Sequence, residues 1–124
     1  MEKVLRGPNL AWHCVGDGFT WDTQDRDGDI AKVRQGWNLA LGFFRDPTVA
    51  LVLLDEMNVV LSMNYLPVEE VLAGLKNKLP NQHVVLTGRG APQALIDAAD
   101  LVTEMREIKH PFNVGVKAQL GIEY

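Results

Sequence analysis

The sequence lacks the features of several large classes of protein. Cys14 is the single cysteine among 124 residues, which excludes an intrachain disulfide and favours a reducing compartment. No apolar run approaches the about 18 residues that suggest a membrane span, and no early apolar segment suggests a secretory signal. The formal net charge of −4 and pI of about 5.3 disfavour non-specific nucleic-acid binding, which needs a basic surface. We therefore expect a cytoplasmic protein with no membrane or nucleic-acid partner.

The composition is that of an ordinary globular domain. Hydrophobic residues make up 47% of the chain and charged residues 23%. A chain of 124 residues can bury one modest core but is too short for two domains. We therefore expect residues 1–124 to form a single domain.

The most informative stretch is Val49–Glu56, in which six apolar residues run unbroken into two acids. A short run of valine and leucine without alternation is typical of a parallel strand buried on both faces. Ligands of open α/β sheets bind at the carboxyl ends of such strands, where Asp55 and Glu56 would lie. Carboxylates there can hold Mg²⁺ beside a nucleotide phosphate. Two solvated acids at the exit of a buried strand are an equally good interpretation.

A second strand is predicted over Gln82–Thr87, followed by Gly88, Arg89 and Gly90. If the two strands are parallel, this arginine reaches the same sheet edge as Asp55. A guanidinium flanked by glycines can approach a phosphate closely and pair with it. A turn with a solvated arginine is a comparable alternative.

The remaining pattern alternates helices with strands. Apolar spacings of three and four predict a helix over Asp29–Arg45, which Asp27 or Asp29 could cap. Residues 57–65 could form a short helix or turn, and Pro67 and Pro92 suit the starts of two further helices. Two further strands are expected over Asn9–Val15 and Leu101–Met105. The fold class is therefore α/β, with a mostly parallel sheet flanked by helices.

Two large aromatic side chains lie close together on a polar segment. Phe19 and Trp21 follow a glycine turn, and in an extended segment they project to the same side. They either cover the core or meet a flat ligand, and composition alone favours covering the core.

Several segments together carry a family resemblance. They are Gly18–Gln24, Val52–Glu56, Tyr65–Pro67, Leu86–Gly90, Lys109–Phe112 and Gly115–Tyr124. In this order they resemble the ATP:corrinoid adenosyltransferases of bacterial cobalamin synthesis, over about Leu5 to Tyr124. The resemblance implies a P-loop NTPase fold of the RecA-like type.

One family motif is absent from the sequence. Members of the family begin with a strand and a phosphate-binding loop of the form G-x-G-K-G-K-T-T, and these 124 residues contain no such loop. The chain therefore resembles the C-terminal two-thirds of the enzyme, without the first strand and the P-loop. A P-loop supplies main-chain N–H donors, a lysine and an Mg²⁺-binding hydroxyl to the phosphates.

The resemblance implies a particular chemistry. A Co(I) corrinoid attacks the 5′ carbon of ATP, a cobalt–carbon bond forms, and triphosphate leaves. Phe19, Trp21 and Thr23 would bind the corrinoid, with the two aromatic rings excluding its lower ligand. The nucleotide would be bound by Thr87, Gly88 and Arg89, and Mg²⁺ by Asp55 and Glu56, with Glu56 the better candidate. The resemblance further implies a flavoprotein electron donor and a homodimer.

Two other classes of function remain open from the sequence. A corrinoid-binding or regulatory module could keep the aromatic segment and lack catalysis. A fragment of another P-loop nucleotide hydrolase could keep the acidic strand, but it would not need the aromatic segment.

Overall fold

The computed structural model describes residues 7, 9–15 and 26–120. The chain divides into two units, residues 15–100 and residues 1–14 together with 101–124. The first unit contains helix α1 (Arg26–Phe43), strand β1 (Leu51–Leu54), helices α2 (Met57–Ser62) and α3 (Val68–Lys76), strand β2 (His83–Leu86) and helix α4 (Gln93–Ala98). The second unit contains a 3₁₀ turn over Pro111–Val114.

The central prediction of a parallel sheet is confirmed. β1 and β2 pair in parallel, with Leu51 opposite His83 and Leu54 opposite Leu86. The intervening chain carries α2 and α3, as a parallel connection requires. Both strands therefore end at the same edge of the sheet.

The two further predicted strands are wrong. Residues 11–15 and 101–105 form no strand, and near the first of them only a single antiparallel bridge joins Gly7 to Leu10. Leu101 and Met105 are 84% and 93% exposed. A strand exists only when a neighbour accepts its main-chain hydrogen bonds, and the described residues provide no neighbour for either segment. The sheet of the described residues is two-stranded.

The prediction that the central strand is buried on both faces is also wrong. One face of the sheet, formed by Val52, Leu54, Val84 and Leu86, packs on the core. The opposite face carries Leu51, Leu53, His83 and Val85, and its leucines are 56% and 55% exposed. We call these four residues the open sheet face. No helix of the described residues covers it, whereas parallel sheets usually have both faces covered.

The core lies between α1, the inner sheet face and α3. Its most deeply buried side chains are Phe44, Leu66 and Val71. Trp37 meets Phe44 edge to face at 5.9 Å between ring centroids, a favoured aromatic geometry. Helix α1 begins at Arg26, so Asp27 and Asp29 lie within its first turn and neither caps it, contrary to the prediction.

The side chain of Gln82 connects the segments that lead into the two strands. Its Nε2 donates to the carbonyls of Phe43, Asp46 and Val49 at 2.8–2.9 Å, and its Oε1 accepts from the Leu79 N–H. The side chain is only 4% exposed. It thereby joins the end of α1, the following turn and the lead into β1, which keeps β1 in register beside β2.

Candidate functional site

The carboxyl ends of β1 and β2 meet in a network of short hydrogen bonds. The Thr87 hydroxyl donates to Asp55 Oδ1 at 2.6 Å and accepts from the Glu56 N–H at 3.0 Å. The Thr87 N–H donates to the Leu54 carbonyl at 3.1 Å. We call Asp55, Glu56, Asn58, Thr87 and Gly88 the strand-exit junction. The sequence predicted that Asp55 and the Gly88–Gly90 segment share this edge, and the structure places both acids in direct contact with Thr87, the residue before Gly88.

The backbone of this junction has positive φ angles just after the end of each strand. Glu56 has φ of 58° and Gly88 φ of 113°. A Cβ atom added at Gly88 would lie 3.2 Å from the Glu56 Cα. Only glycine adopts such a φ readily and allows the two chains to approach this closely. Holding Glu56, a residue with a Cβ, in the left-handed region carries a conformational cost typical of functional sites.

Three charged residues at the carboxyl edge of the sheet are open to solvent. Asp55, Glu56 and Arg89 are all exposed. Thr87 engages Oδ1 of Asp55, which leaves its Oδ2 and the Glu56 carboxylate as oxygen ligands. Within the described residues, no ion pair joins either acid or Arg89 to another side chain.

The residues present fit a magnesium ion that is bound together with a substrate phosphate. No group of three or more His, Cys, Asp or Glu side chains is arranged to hold a metal ion within the described part of the chain. Mg²⁺ is commonly held by one or two carboxylates together with waters and substrate phosphates. Asp55 and Glu56 match that kind of donor set, so they fit magnesium bound jointly with a nucleotide.

Asn58 is the member of the junction that sequence reasoning missed. It is the second residue of α2, two positions after Glu56, and is 8% exposed. Its N–H donates to the Thr87 carbonyl at 3.0 Å, and its Nδ2 donates to the Gly88 carbonyl at 3.1 Å. A polar residue within an otherwise apolar run at a strand exit is the signal that could have indicated it. The predicted corrinoid-binding residues Phe19, Trp21 and Thr23 lie outside the described residues.

A separate groove lies between α1 and the start of α3. It has a volume of about 620 Å³, and its lining includes Ile30, Arg34, Tyr65, Val68 and Glu69. Arg34 is paired with Glu70 at 3.2 Å beside it. The groove contains no residue predicted to bind the nucleotide or the metal.

The fold and the junction define an α/β protein with acids at the carboxyl edge of a parallel sheet. Residues 1–124 match the model of one family, described as ATP:corrinoid adenosyltransferase BtuR/CobO/CobP. The chain belongs to this family, as its sequence motifs predicted. Among the described residues, no helix is both long and apolar enough to cross a membrane.

Curated relatives support the same assignment. The corrinoid adenosyltransferase of Pseudomonas aeruginosa is 50% identical over 115 residues, which are 93% of this chain and 57% of that protein. The one from Sinorhizobium sp is 50% identical over 95% of this chain and 56% of its own length. The Escherichia coli K12 protein is 40% identical over 99% of this chain and 63% of its own length. The chain therefore spans about three-fifths of the length of these relatives.

Proposed function

We propose that this chain provides the acidic and corrinoid-binding parts of an ATP:corrinoid adenosyltransferase, with a RecA-like P-loop fold. The supporting observation is the 50% identity to the Pseudomonas aeruginosa corrinoid adenosyltransferase across 93% of the chain. The reaction transfers the 5′-deoxyadenosyl group of ATP to Co(I). A Co–C bond forms, the C5′–O bond breaks, and triphosphate leaves with the bonding electron pair.

The junction supports a role in binding the triphosphate. Arg89 can place positive charge against a phosphate in fork geometry, and the main chain at Thr87 and Gly88 borders the same site. Asp55 and Glu56 would hold Mg²⁺, which neutralises phosphate charge when bound. Thr87 holds the Asp55 carboxylate through the 2.6 Å hydrogen bond, so this acid is oriented before any ligand arrives. Positioning and charge stabilisation are the contributions expected of such a site.

The corrinoid would meet Phe19, Trp21 and Thr23. A flat macrocycle accounts for two aromatic side chains on a polar segment better than core packing does, because such rings stack on flat ligands. With the lower ligand excluded, the cobalt is four-coordinate and easier to reduce. We also propose a flavoprotein reductant, a homodimer and a cytoplasmic location, as in the family.

The decisive experiment follows adenosylcobalamin formation from cob(I)alamin and ATP by absorbance. A single missing donor to developing charge costs about 10²–10³ in rate, and a P-loop supplies several donors. We therefore expect the 124 residues alone to bind Mg·ATP weakly and to show no appreciable turnover. Adding a segment of a relative that carries the G-x-G-K-G-K-T-T loop should restore both. Turnover by the chain alone near that of a complete relative would contradict this division of labour.

A second experiment tests the aromatic segment. We expect the chain to convert cob(II)alamin to its four-coordinate form in the presence of Mg·ATP and the complementing segment, and Trp21→Ala to lose this conversion. Electron paramagnetic resonance distinguishes the two cobalt geometries directly. Identical spectra for the two proteins would remove Trp21 from the corrinoid site.

A further inference from the structure

Asn58 is a buried polar residue that connects the exits of both strands. Its main-chain N–H bonds to the Thr87 carbonyl, and its side-chain amide bonds to the carbonyl of the next residue, Gly88. The two partners lie about 30 positions away along the chain, so the contacts are tertiary. A polar side chain that is 92% buried destabilises the fold unless its groups are hydrogen-bonded.

Only one half of this amide has a partner. Among the described residues, Oδ1 of Asn58 is buried and accepts no hydrogen bond. The orientation of the amide follows from its neighbour, because a carbonyl such as that of Gly88 can accept but cannot donate. An apolar side chain would avoid the orphaned oxygen. The residue therefore serves the fold through its donor, and that donor is directed at Gly88.

Gly88 begins the segment whose position matters most for an anion. Gly88 and Gly90 both have positive φ, 113° and 72°, and the exposed Arg89 lies between them. Glycines give a segment wide conformational freedom, so the position of Arg89 depends on what fixes its neighbours. The amide of Asn58 fixes the Gly88 carbonyl. Gly88 also packs closely against Asn58, because a Cβ atom added at Gly88 would lie only 3.3 Å from the Asn58 Cβ. This contact further restricts where the Gly88 main chain can move.

We propose that Asn58 is a positioning residue: it holds the Gly88–Gly90 segment so that Arg89 and the two acids face one shared phosphate site. The nucleotide part of this inference rests on the proposed function. Asn58 touches neither substrate nor metal in this scheme. It acts through Gly88. Because Asn58 follows Asp55 and Glu56 by only a few residues, the start of α2 orients these two acids and the segment that carries Arg89 together.

The test compares Asn58→Ala with Asn77→Ala. Asn77 also donates one side-chain hydrogen bond to a carbonyl, that of Ala73 at 3.0 Å, but at the exposed end of α3 and within one turn. For each protein, ¹⁵N relaxation measures the order of Gly88, Arg89 and Gly90. Amide shifts followed during titration with Mg·ATP, in the presence of the relative's segment that carries the G-x-G-K-G-K-T-T loop, give the affinity. Amide exchange of β1 and β2 reports on the sheet.

We expect Asn58→Ala to increase motion at all three positions and to weaken Mg·ATP binding about tenfold, the effect of losing one hydrogen bond to an ordered site. Asn77→Ala should change neither. Unchanged order at Gly88–Gly90 in Asn58→Ala overturns the proposal, and so does a uniform acceleration of exchange across β1 and β2, which identifies a merely structural role. A wild-type chain that binds no Mg·ATP even with the complementing segment contradicts the proposed function instead, while the relaxation data still decide whether Asn58 holds the segment.

Discussion

The hydroxyl of Thr87 lies 2.6 Å from the carboxylate of Asp55 and accepts the N–H of Glu56. One side chain at the end of β2 thus orients the acid that ends β1 and stabilises the left-handed backbone of the residue after it. Because both strands run in the same direction, the contact is possible only at this edge of the sheet.

Replacing Thr87 by valine should lower the free energy of unfolding by about 1–3 kcal/mol, because the Glu56 N–H and the Asp55 carboxylate lose their partner. Thr87→Ser keeps the hydroxyl and should cost less than half as much. Urea unfolding measures both. Equal losses for the two variants would show that the methyl group, and not the hydrogen bonds, is what matters.

Gly74 of α3 has no room for a side chain. A Cβ there would lie 2.4 Å from Cζ2 of Trp37 and 2.9 Å from Cδ2 of Leu41. We expect Gly74→Ala to destabilise the chain by about 1–3 kcal/mol through overpacking. Gly42→Ala is the matched control, because no atom lies within 4 Å of its Cβ position; helix propensity should make it stabilising by about 0.5–1 kcal/mol. Thermal unfolding of both variants measures these changes. A stabilised Gly74→Ala protein would contradict the close packing of Gly74 against Trp37 and Leu41.

Gln82→Glu should be one of the most damaging isosteric changes. It would place a carboxylate oxygen against the three carbonyls that now accept from Nε2. The uncompensated buried charge should cost at least about 3 kcal/mol. The surface control Gln93→Glu, on a side chain that bonds only to Asp97, should stay within about 0.5 kcal/mol. Denaturant titration measures the loss of unfolding free energy in each variant. Similar losses for both would contradict a structural role for the Gln82 hydrogen bonds.

Thr48 lowers the pKa of Asp46, first through its hydroxyl and then through its N–H, both of which donate to Oδ1. A lowered carboxylate pKa contributes stability above the ordinary value near 3.8, and this stability is lost as the pH falls through the folded-state pKa. Thr48→Val should therefore raise the pKa of Asp46 and be destabilising at neutral pH but not in strong acid. Carboxyl NMR titration reads the pKa, with Thr103→Val as control. An unmoved Asp46 titration would refute this account.

The open sheet face predicts self-association of the isolated chain. Leu51 and Leu53 are 56% and 55% exposed on this face, and exposed apolar sheet faces are usually covered. Sedimentation should show a dimer or larger species, and Leu53→Lys should shift it towards monomer. Leu39→Lys, at a leucine that is 38% exposed on α1, should not. A monomer over a broad concentration range would contradict the prediction.

The sequence predicted the central elements because their signals are local. Runs of valine and leucine located β1 and β2, and prolines located the starts of α3 and α4. Residues 9–15 and 101–105 were also predicted as strands but form none, because pairing depends on a partner that composition does not report. The contacts of Asn58 were missed for the same reason: its partners Thr87 and Gly88 are about 30 positions away, and only the parallel register brings them together.

The pairing of Leu51 with His83 also has a kinetic consequence. Bringing these residues together closes a loop of about 30 residues, which costs about 3 kcal/mol of chain entropy before the first strand-to-strand bond forms. Helices α2 and α3 are local and can form within that loop on a much shorter timescale. Asp55 and Thr87 therefore become neighbours late in folding, and a chain still on its pathway has helices before it has the strand-exit junction.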